Sequence, residues 1–195
     1  MYKLKDKEII FVFTGPTGAG RKTIAEMAGT TIQMKQVISC TTRQPRANEA
    51  DGRDYHFITR EQFEASRRND EFIETVEIDG VHYGLRSADV EAGLQQFGCI
   101  YLVLNRYGAE ILKEVYGDKV KRFFIYASRE TILNRLKDRG DSQERIDGYL
   151  SHYEEEMAYR NECEHAYENI DSSHTIYDLA KAMEHYLQRG LVDLD

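Results

Sequence analysis

The chain is short of several things, and each shortage narrows what it can be. Its three cysteines, Cys40, Cys99 and Cys163, are odd in number and far apart, so they offer neither a disulfide framework nor a metal-ligand spacing. They read as free thiols of a reducing compartment. No basic block occurs and the net charge is -8. That excludes a general nucleic-acid-binding surface, although an acidic protein can still hold a phosphate in a local basic cleft. No apolar run approaches the ~20 residues that span a bilayer. The opening Met1-Tyr2-Lys3-Leu4-Lys5-Asp6 has no apolar segment of the signal-peptide kind. The expected location is the cytoplasm, with no membrane partner. Repeats and low-complexity tracts are missing. Proline occurs only as Pro16 and Pro45, both in stretches that read as functional loops. What remains is 195 residues, 41% of them hydrophobic, enough for one domain, or a domain with small lobes, around a real core.

The residues that organise the rest are Gly15-Pro16-Thr17-Gly18-Ala19-Gly20-Arg21-Lys22-Thr23. The apolar run Ile9-Ile10-Phe11-Val12-Phe13 leads into them, and an amphipathic stretch over residues 21–28 follows. Strand, glycine-rich turn and helix start form the context of a phosphate-binding loop. Glycines let the backbone wrap an anion, and the amides of the helix N-terminus point at it. Gly15 and Gly20 have the spacing of G-x-x-x-x-G-K-[ST]. Arg21, however, stands where the lysine belongs, and Lys22 where the magnesium-binding hydroxyl belongs. Thr23, one residue late, is the remaining candidate for a metal-binding hydroxyl.

Along the chain, residues 37–39 and 55–58 read as short strands, and 71–78 with 81–83 as a hairpin about Asp79-Gly80. Residues 99–104 and 120–126 read as buried strands, and 166–170 as a last strand. Thr59-Arg60-Glu61-Gln62 is a capping box opening a helix to about residue 69. Gly29 is expected to end the first helix. Others are expected over 87–96, 108–116 and 128–139, then as one long polar helix over 143–163, and finally over 174–189. Residues 41–54 form a long polar loop carrying Arg43, Arg46 and Arg53, and loops of that length in compact domains are usually functional or disordered. The alternation implies an α/β fold with a mainly parallel sheet covered on both faces. The hairpin-rich part breaks that rhythm and reads as a separate lobe; residues 128–155 read as a lid.

Five segments then stand in a telling order: Gly15-Pro16-Thr17-Gly18-Ala19-Gly20, Ser39-Cys40-Thr41-Thr42-Arg43-Gln44-Pro45-Arg46, Asp51-Gly52-Arg53-Asp54-Tyr55-His56-Phe57, Glu71-Phe72-Ile73-Glu74 and His82-Tyr83-Gly84. In order and spacing they resemble guanylate kinase. The resemblance implies a single domain over residues 1–195. It would have a P-loop NTPase-type core (1–37, 86–127 and 156–195), a small mixed β-rich GMP-binding lobe (38–85) and a helical lid (128–155). It implies phosphorylation of GMP to GDP by ATP with magnesium. Carried over by position, Ser39, Arg43, Arg46, Tyr55 and Tyr83 would hold the GMP phosphate, and Glu74 and Asn105 the guanine. Gly15, Gly18, Ala19, Gly20, Arg21, Lys22 and Thr23 would hold the ATP phosphates. Arg21, Lys22, Arg135 and Arg139 would act in phosphoryl transfer, and Asn169 would lie near the adenine. The chemistry fits. A dianionic phosphate suits fork-shaped guanidiniums and hydroxyl donors, and a carboxylate facing two donors rejects the base that lacks them.

The sequence also departs from that family. Val103 and Asn105 replace a pair of acids, Leu85-Arg86 replaces a hydroxyl-bearing pair, and Tyr149 replaces a third lid arginine. The GMP side is nearly complete, whereas the ATP and metal side is altered. Each lost transition-state contact is worth ~2–4 kcal/mol. Two functions therefore stay open: a guanylate kinase-type phosphotransferase slowed by its donor side, and a binding module for GMP, a related nucleotide or a phosphorylated protein partner. Asn105 in place of an acid also leaves open a kinase for another nucleoside monophosphate. Small-molecule nucleotides are the expected partners.

Overall fold

The apolar run before the glycine-rich turn is a strand buried on both faces. Ile10, Phe11, Val12 and Phe13 are all 0% exposed, which is why the run is continuously apolar and does not alternate. In the computed structural model, which describes residues 2–188, this strand is β1 (Ile9–Thr14). It is followed by α1 (Arg21–Thr31), β2 (Lys35–Gln36), β3 (Cys40–Thr41), β4 (His56–Phe57), α2 (Arg60–Arg68), β5 (Phe72–Ile78) and β6 (Val81–Arg86). Then come α3 (Ser87–Phe97), β7 (Cys99–Val103), α4 (Arg106–Tyr116), β8 (Val120–Tyr126), α5 (Arg129–Asp138), α6 (Gln143–Ser151), α7 (Tyr153–Ala158), β9 (His165–Glu168) and α8 (Ser172–Leu187).

Five parallel strands, in the order β2-β7-β1-β8-β9, form the main sheet. On one face Ile10 and Val12 pack with Ile100, Leu102 and Phe124 beneath Val90 of α3 and Leu112 of α4. On the other, Phe11 and Phe13 pack with Tyr101 and Phe123 beneath Ile24 of α1 and Leu179 of α8. The architecture is α/β, as expected. A second, mixed sheet has the order β4-β3-β6-β5. Its hairpin turns at Asp79 (φ 50°) and Gly80 (φ 74°), a pair with left-handed backbone at both central positions. Parallel strands align their C-terminal ends, and ligands of such sheets bind beyond those ends. The loop after β1, residues 104–105 after β7 and the caps of α5 all open there. Among the described residues no helix is long and apolar enough to cross a membrane.

Several boundaries differ from the sequence reading, for physical reasons. Helix α1 runs through Gly29 to Thr31. That glycine is there for space, because a Cβ would come within 2.3 Å of the Tyr101 ring. The strand expected over 37–39 is instead the step between the two sheets. Lys35–Gln36 pair with β7, Val37 donates its amide to the Tyr101 carbonyl at 3.0 Å, and pairing resumes at Cys40 in the second sheet. The long helix expected over 143–163 breaks at His152 into α6 and α7, then tightens into a 3-10 turn over Tyr159–Glu162. The last strand is His165–Glu168, shifted one residue toward the N-terminus and stopping before Ile170. Helices α4 and α8 each begin two residues early, capped by Asn105 and Asp171. Residue 189, expected to close the last helix, lies outside the described residues.

Candidate active site

The turn after β1 gathers its polar groups inward. Gly20, in left-handed backbone at φ 90°, starts α1. A Cβ there would sit 2.5 Å from the Asn169 amide nitrogen. That amide donates to the Ala19 carbonyl at 2.9 Å, and Arg135 Nη1 donates to the same oxygen at 3.2 Å. Arg135 Nη2 also donates to the Asn169 carbonyl at 2.9 Å. Buried Asn169 and half-buried Arg135 thus brace the loop from below. The first turn of α1 carries no acidic residue, which leaves its amides to an anion.

A cavity of about 330 Å³ opens above this loop. Gly18, Gly20, Arg21, Lys22 and Thr23 line one wall, and Arg135 and Arg139 flank it. Ser39, Arg43, Arg46, Tyr55, Glu74, Tyr83 and Asn105 line the wall facing them. Fourteen of the sequence-predicted residues therefore meet in one place, although they come from the loop after β1, from α1, from the second sheet and its loops, from the cap of α4 and from α5 and its cap. Gly15, Ala19 and Asn169 do not line the cavity. Asn169 acts on the loop's far side, where it holds Ala19.

On the second wall the two arginines already hold an anion. Arg43 Nη1 and Nη2 donate to the two oxygens of Glu49 at 2.6 and 2.7 Å, and the Arg46 amide donates to Glu49 at 2.8 Å. Burial works to raise the Glu49 carboxyl, but these hydrogen bonds and charges bring it down to about 2. Burial likewise opposes charge on Arg43, and Glu49 overcomes it and raises that group. The Arg43 guanidinium lies 5.0 Å from the Tyr55 ring centre and 5.5 Å from that of Phe57, so aromatic faces fix the fork. Deeper in, Glu74 is 4% exposed and its Oε2 accepts no hydrogen bond. Burial alone pushes its carboxyl up to about 7. Asn105 caps α4, taking the Gly108 amide at 2.9 Å.

The first wall differs. Arg21 Nη1 donates to the Leu104 carbonyl at 2.9 Å. Lys22 Nζ forms an ion pair with the buried Asp54, whose carboxylate also takes the Ala50 amide and Arg53 Nε, each at 2.8 Å. Thr23 is exposed at the cavity edge. Two contacts close the top. Arg46 Nη2 donates to the hydroxyl of Tyr149 on α6 at 3.0 Å, and His152 Nε2 lies 3.7 Å from Asp79 of the hairpin. Arg139 is engaged by Asp141, with Nε at 2.7 Å.

Glu49, Asp54 and Glu156 are the residues that reading the sequence missed. Burial raises the Glu156 carboxyl against the opposing charges of Arg21, His152 and Arg106. A signal for the first two existed. The loop that carries Arg43, Arg46 and Arg53 also carries Glu49, Asp51 and Asp54, and a loop of mixed charge folds on itself.

A family model described as guanylate kinase matches residues 7–188. The guanylate kinase of Fusobacterium nucleatum subsp. nucleatum is 31% identical over 176 residues, which is 90% of this chain and 95% of the relative. That of Francisella tularensis subsp. holarctica is 32% identical over 185 residues, covering 92% and 97%. Among solved structures, a guanylate kinase from Anaplasma phagocytophilum superimposes with a TM-score of 0.76, covering 95% of this chain and 89% of its own. At 24% identity that likeness speaks for the fold. The match spans both sheets and the helices over the cavity, and the chain belongs to the guanylate kinase family.

Proposed function

We propose that this cavity transfers the γ-phosphoryl group of ATP to GMP. The observation that carries the reading is the pairing on the second wall. Two guanidiniums converge on a carboxylate that stands in for phosphate oxygens, and a buried carboxylate with a free oxygen lies in the same cavity. In the bound state the GMP phosphate takes the place of Glu49 between Arg43 and Arg46, with Ser39, Tyr55 and Tyr83 as hydroxyl donors. Glu74 accepts from the N1 and N2 protons of guanine, and Asn105 offers an amide beside it. The ATP phosphates lie on the loop amides from Gly18 to Thr23. A GMP phosphate oxygen attacks the γ-phosphorus, the bond to the β–γ bridging oxygen breaks, and ADP leaves. The acceptor oxygen is already deprotonated, so positioning and charge neutralisation do the work. Arg21, Lys22, Arg135 and Arg139 supply the positive charge. In this reading residues 38–85 form the acceptor lobe, residues 128–155 the lid, and the remaining segments the core.

Guanylate kinases use ATP with magnesium, and the residues here do not fit a protein-held metal ion. Lys22 stands at the chain position of the hydroxyl residue, Val103 at that of an acid, and Thr23 offers one exposed hydroxyl. No group of three acidic, histidine or cysteine side chains able to hold a metal occurs among the described residues.

A second reading is a GMP-binding module without turnover. It is favoured by the engagement of Arg21 by Leu104 and of Lys22 by Asp54. A coupled assay of ADP release, run with GMP and with dGMP, separates the two. ADP release that depends on the acceptor is the expected result. Calorimetric GMP binding by folded protein, with no turnover at millimolar nucleotide, would establish the binding module instead.

A further inference from the structure

The position of Lys22 has a consequence for the donor nucleotide. Lys22 stands at the chain position where the phosphate-loop pattern has a magnesium-binding hydroxyl residue. It is anchored there by Asp54, whose side chain is 2% exposed and whose two oxygens are both in use, Oδ1 by Lys22 and Oδ2 by Ala50 and Arg53. An ammonium has three protons. One faces Asp54, which leaves two for the cavity that Lys22 lines together with Gly18 and Gly20. Arg21, Arg135 and Arg139 line the same side. A divalent ion entering here meets four cationic side chains, and the cavity's acidic side chains, Glu49, Glu74, Asp79 and Glu156, belong to no group of three able to hold a metal among the described residues. Free ATP carries two more negative charges than its magnesium complex, and a cluster of fixed cations favours the more highly charged form.

We propose that Lys22 takes over the charge-neutralising place of the metal in this chain, so that the donor nucleotide binds without magnesium. The proposal rests on the donor-side reading given above and sharpens it: the ligand of the loop is free ATP, held by ammonium and guanidinium groups. Lys22 also joins the donor loop to the acceptor lobe through Asp54.

Calorimetric titration of the full chain with a non-hydrolysable methylene analogue of ATP tests this, run once with EDTA and once with millimolar magnesium. For the native chain the metal-free affinity is expected to equal or exceed the affinity with magnesium. In Lys22→Ser the metal-free affinity is expected to fall by about tenfold or more, with magnesium restoring part of it through the new hydroxyl. In Lys22→Gln it falls and magnesium restores nothing. Lys22→Arg keeps the charge, so it is expected to keep metal-free binding. Lys22 is partly exposed on the surface of α1, and a melting curve for each variant shows that it is folded. A native affinity that rises about tenfold on adding magnesium would overturn the proposal and leave the kinase reading standing. Unchanged metal-free affinity in both Lys22→Ser and Lys22→Gln would also overturn it. No binding under either condition would overturn the donor-site reading and this proposal together.

Discussion

Glu74 links stability to the guanine recognition proposed for it. Its carboxyl, pushed up to about 7 from an ordinary value of 4.5, binds a proton more readily folded than unfolded. Stability therefore falls as the pH rises from about 4.5 to about 7, and the cost is fully present above that window. Replacing it by Gln is expected to stabilise the protein by about 1–3 kcal/mol at alkaline pH and to change little in acid. Denaturant unfolding across that range measures this. The same change is expected to weaken GMP binding by about 10–100-fold, since a charged acceptor is lost. It should also flatten the rise in GMP affinity expected of the native chain as the pH passes through 7. Motif order made Glu74, Arg43 and Arg46 legible in the sequence. Their state was not. That Glu49 occupies the arginine fork and that Lys22 leans on Asp54 depend on how a 14-residue polar loop folds on itself, and charge within such a loop pairs by three-dimensional proximity, which spacing does not encode.

At the level of elements, local chemistry was read well where it is local. The capping box at Thr59 forms both of its hydrogen bonds, and the Asp79-Gly80 turn closes its hairpin as expected. Errors came where tertiary packing overrides propensity. Gly29 looked like a helix stop and is a spacer under Tyr101. Gly29→Ala is expected to cost about 1–3 kcal/mol, because the ring at 2.3 Å is itself buried in the core. A thermal melt checks it, and an unchanged or higher midpoint would show that the helix wanted alanine. The break at His152 was equally invisible, since neither proline nor glycine stands at residues 151–153, yet Tyr149 of α6 reaches Arg46 beside it. Tyr149→Phe removes a single hydrogen bond of about 1 kcal/mol. It is expected to raise the KM for GMP about fivefold with little change in kcat. Equal losses in both would place Tyr149 at the transferring group instead.

Across the whole molecule, the balance of charge in the cleft differs in sign from that of the chain. The chain carries a net charge of -8, while the cavity is lined by six basic side chains, Arg21, Lys22, Arg43, Arg46, Arg135 and Arg139, against four acidic ones, Glu49, Glu74, Asp79 and Glu156. An anionic nucleotide is repelled by the whole and drawn by the cleft, and within a Debye length of ~8 Å at physiological salt the cleft decides. The association rate of GMP, followed by stopped-flow with a fluorescent analogue, is accordingly expected to fall as salt is raised. A rise would mean that net charge governs the encounter. The parallel sheet aligns the donor loop with the ends of β7 and β8, the second sheet brings the arginine fork to face it, and α6 reaches across both. The central claim is that these parts pass a phosphoryl group from ATP to GMP. Phosphorus NMR of the protein with both nucleotides tests it most directly. The account expects the ATP γ-phosphate and GMP signals to decline together while ADP and GDP appear in equal amounts, and expects this exchange to vanish in Arg43→Ala. GMP left unchanged, with ATP intact or released only as inorganic phosphate, would contradict it.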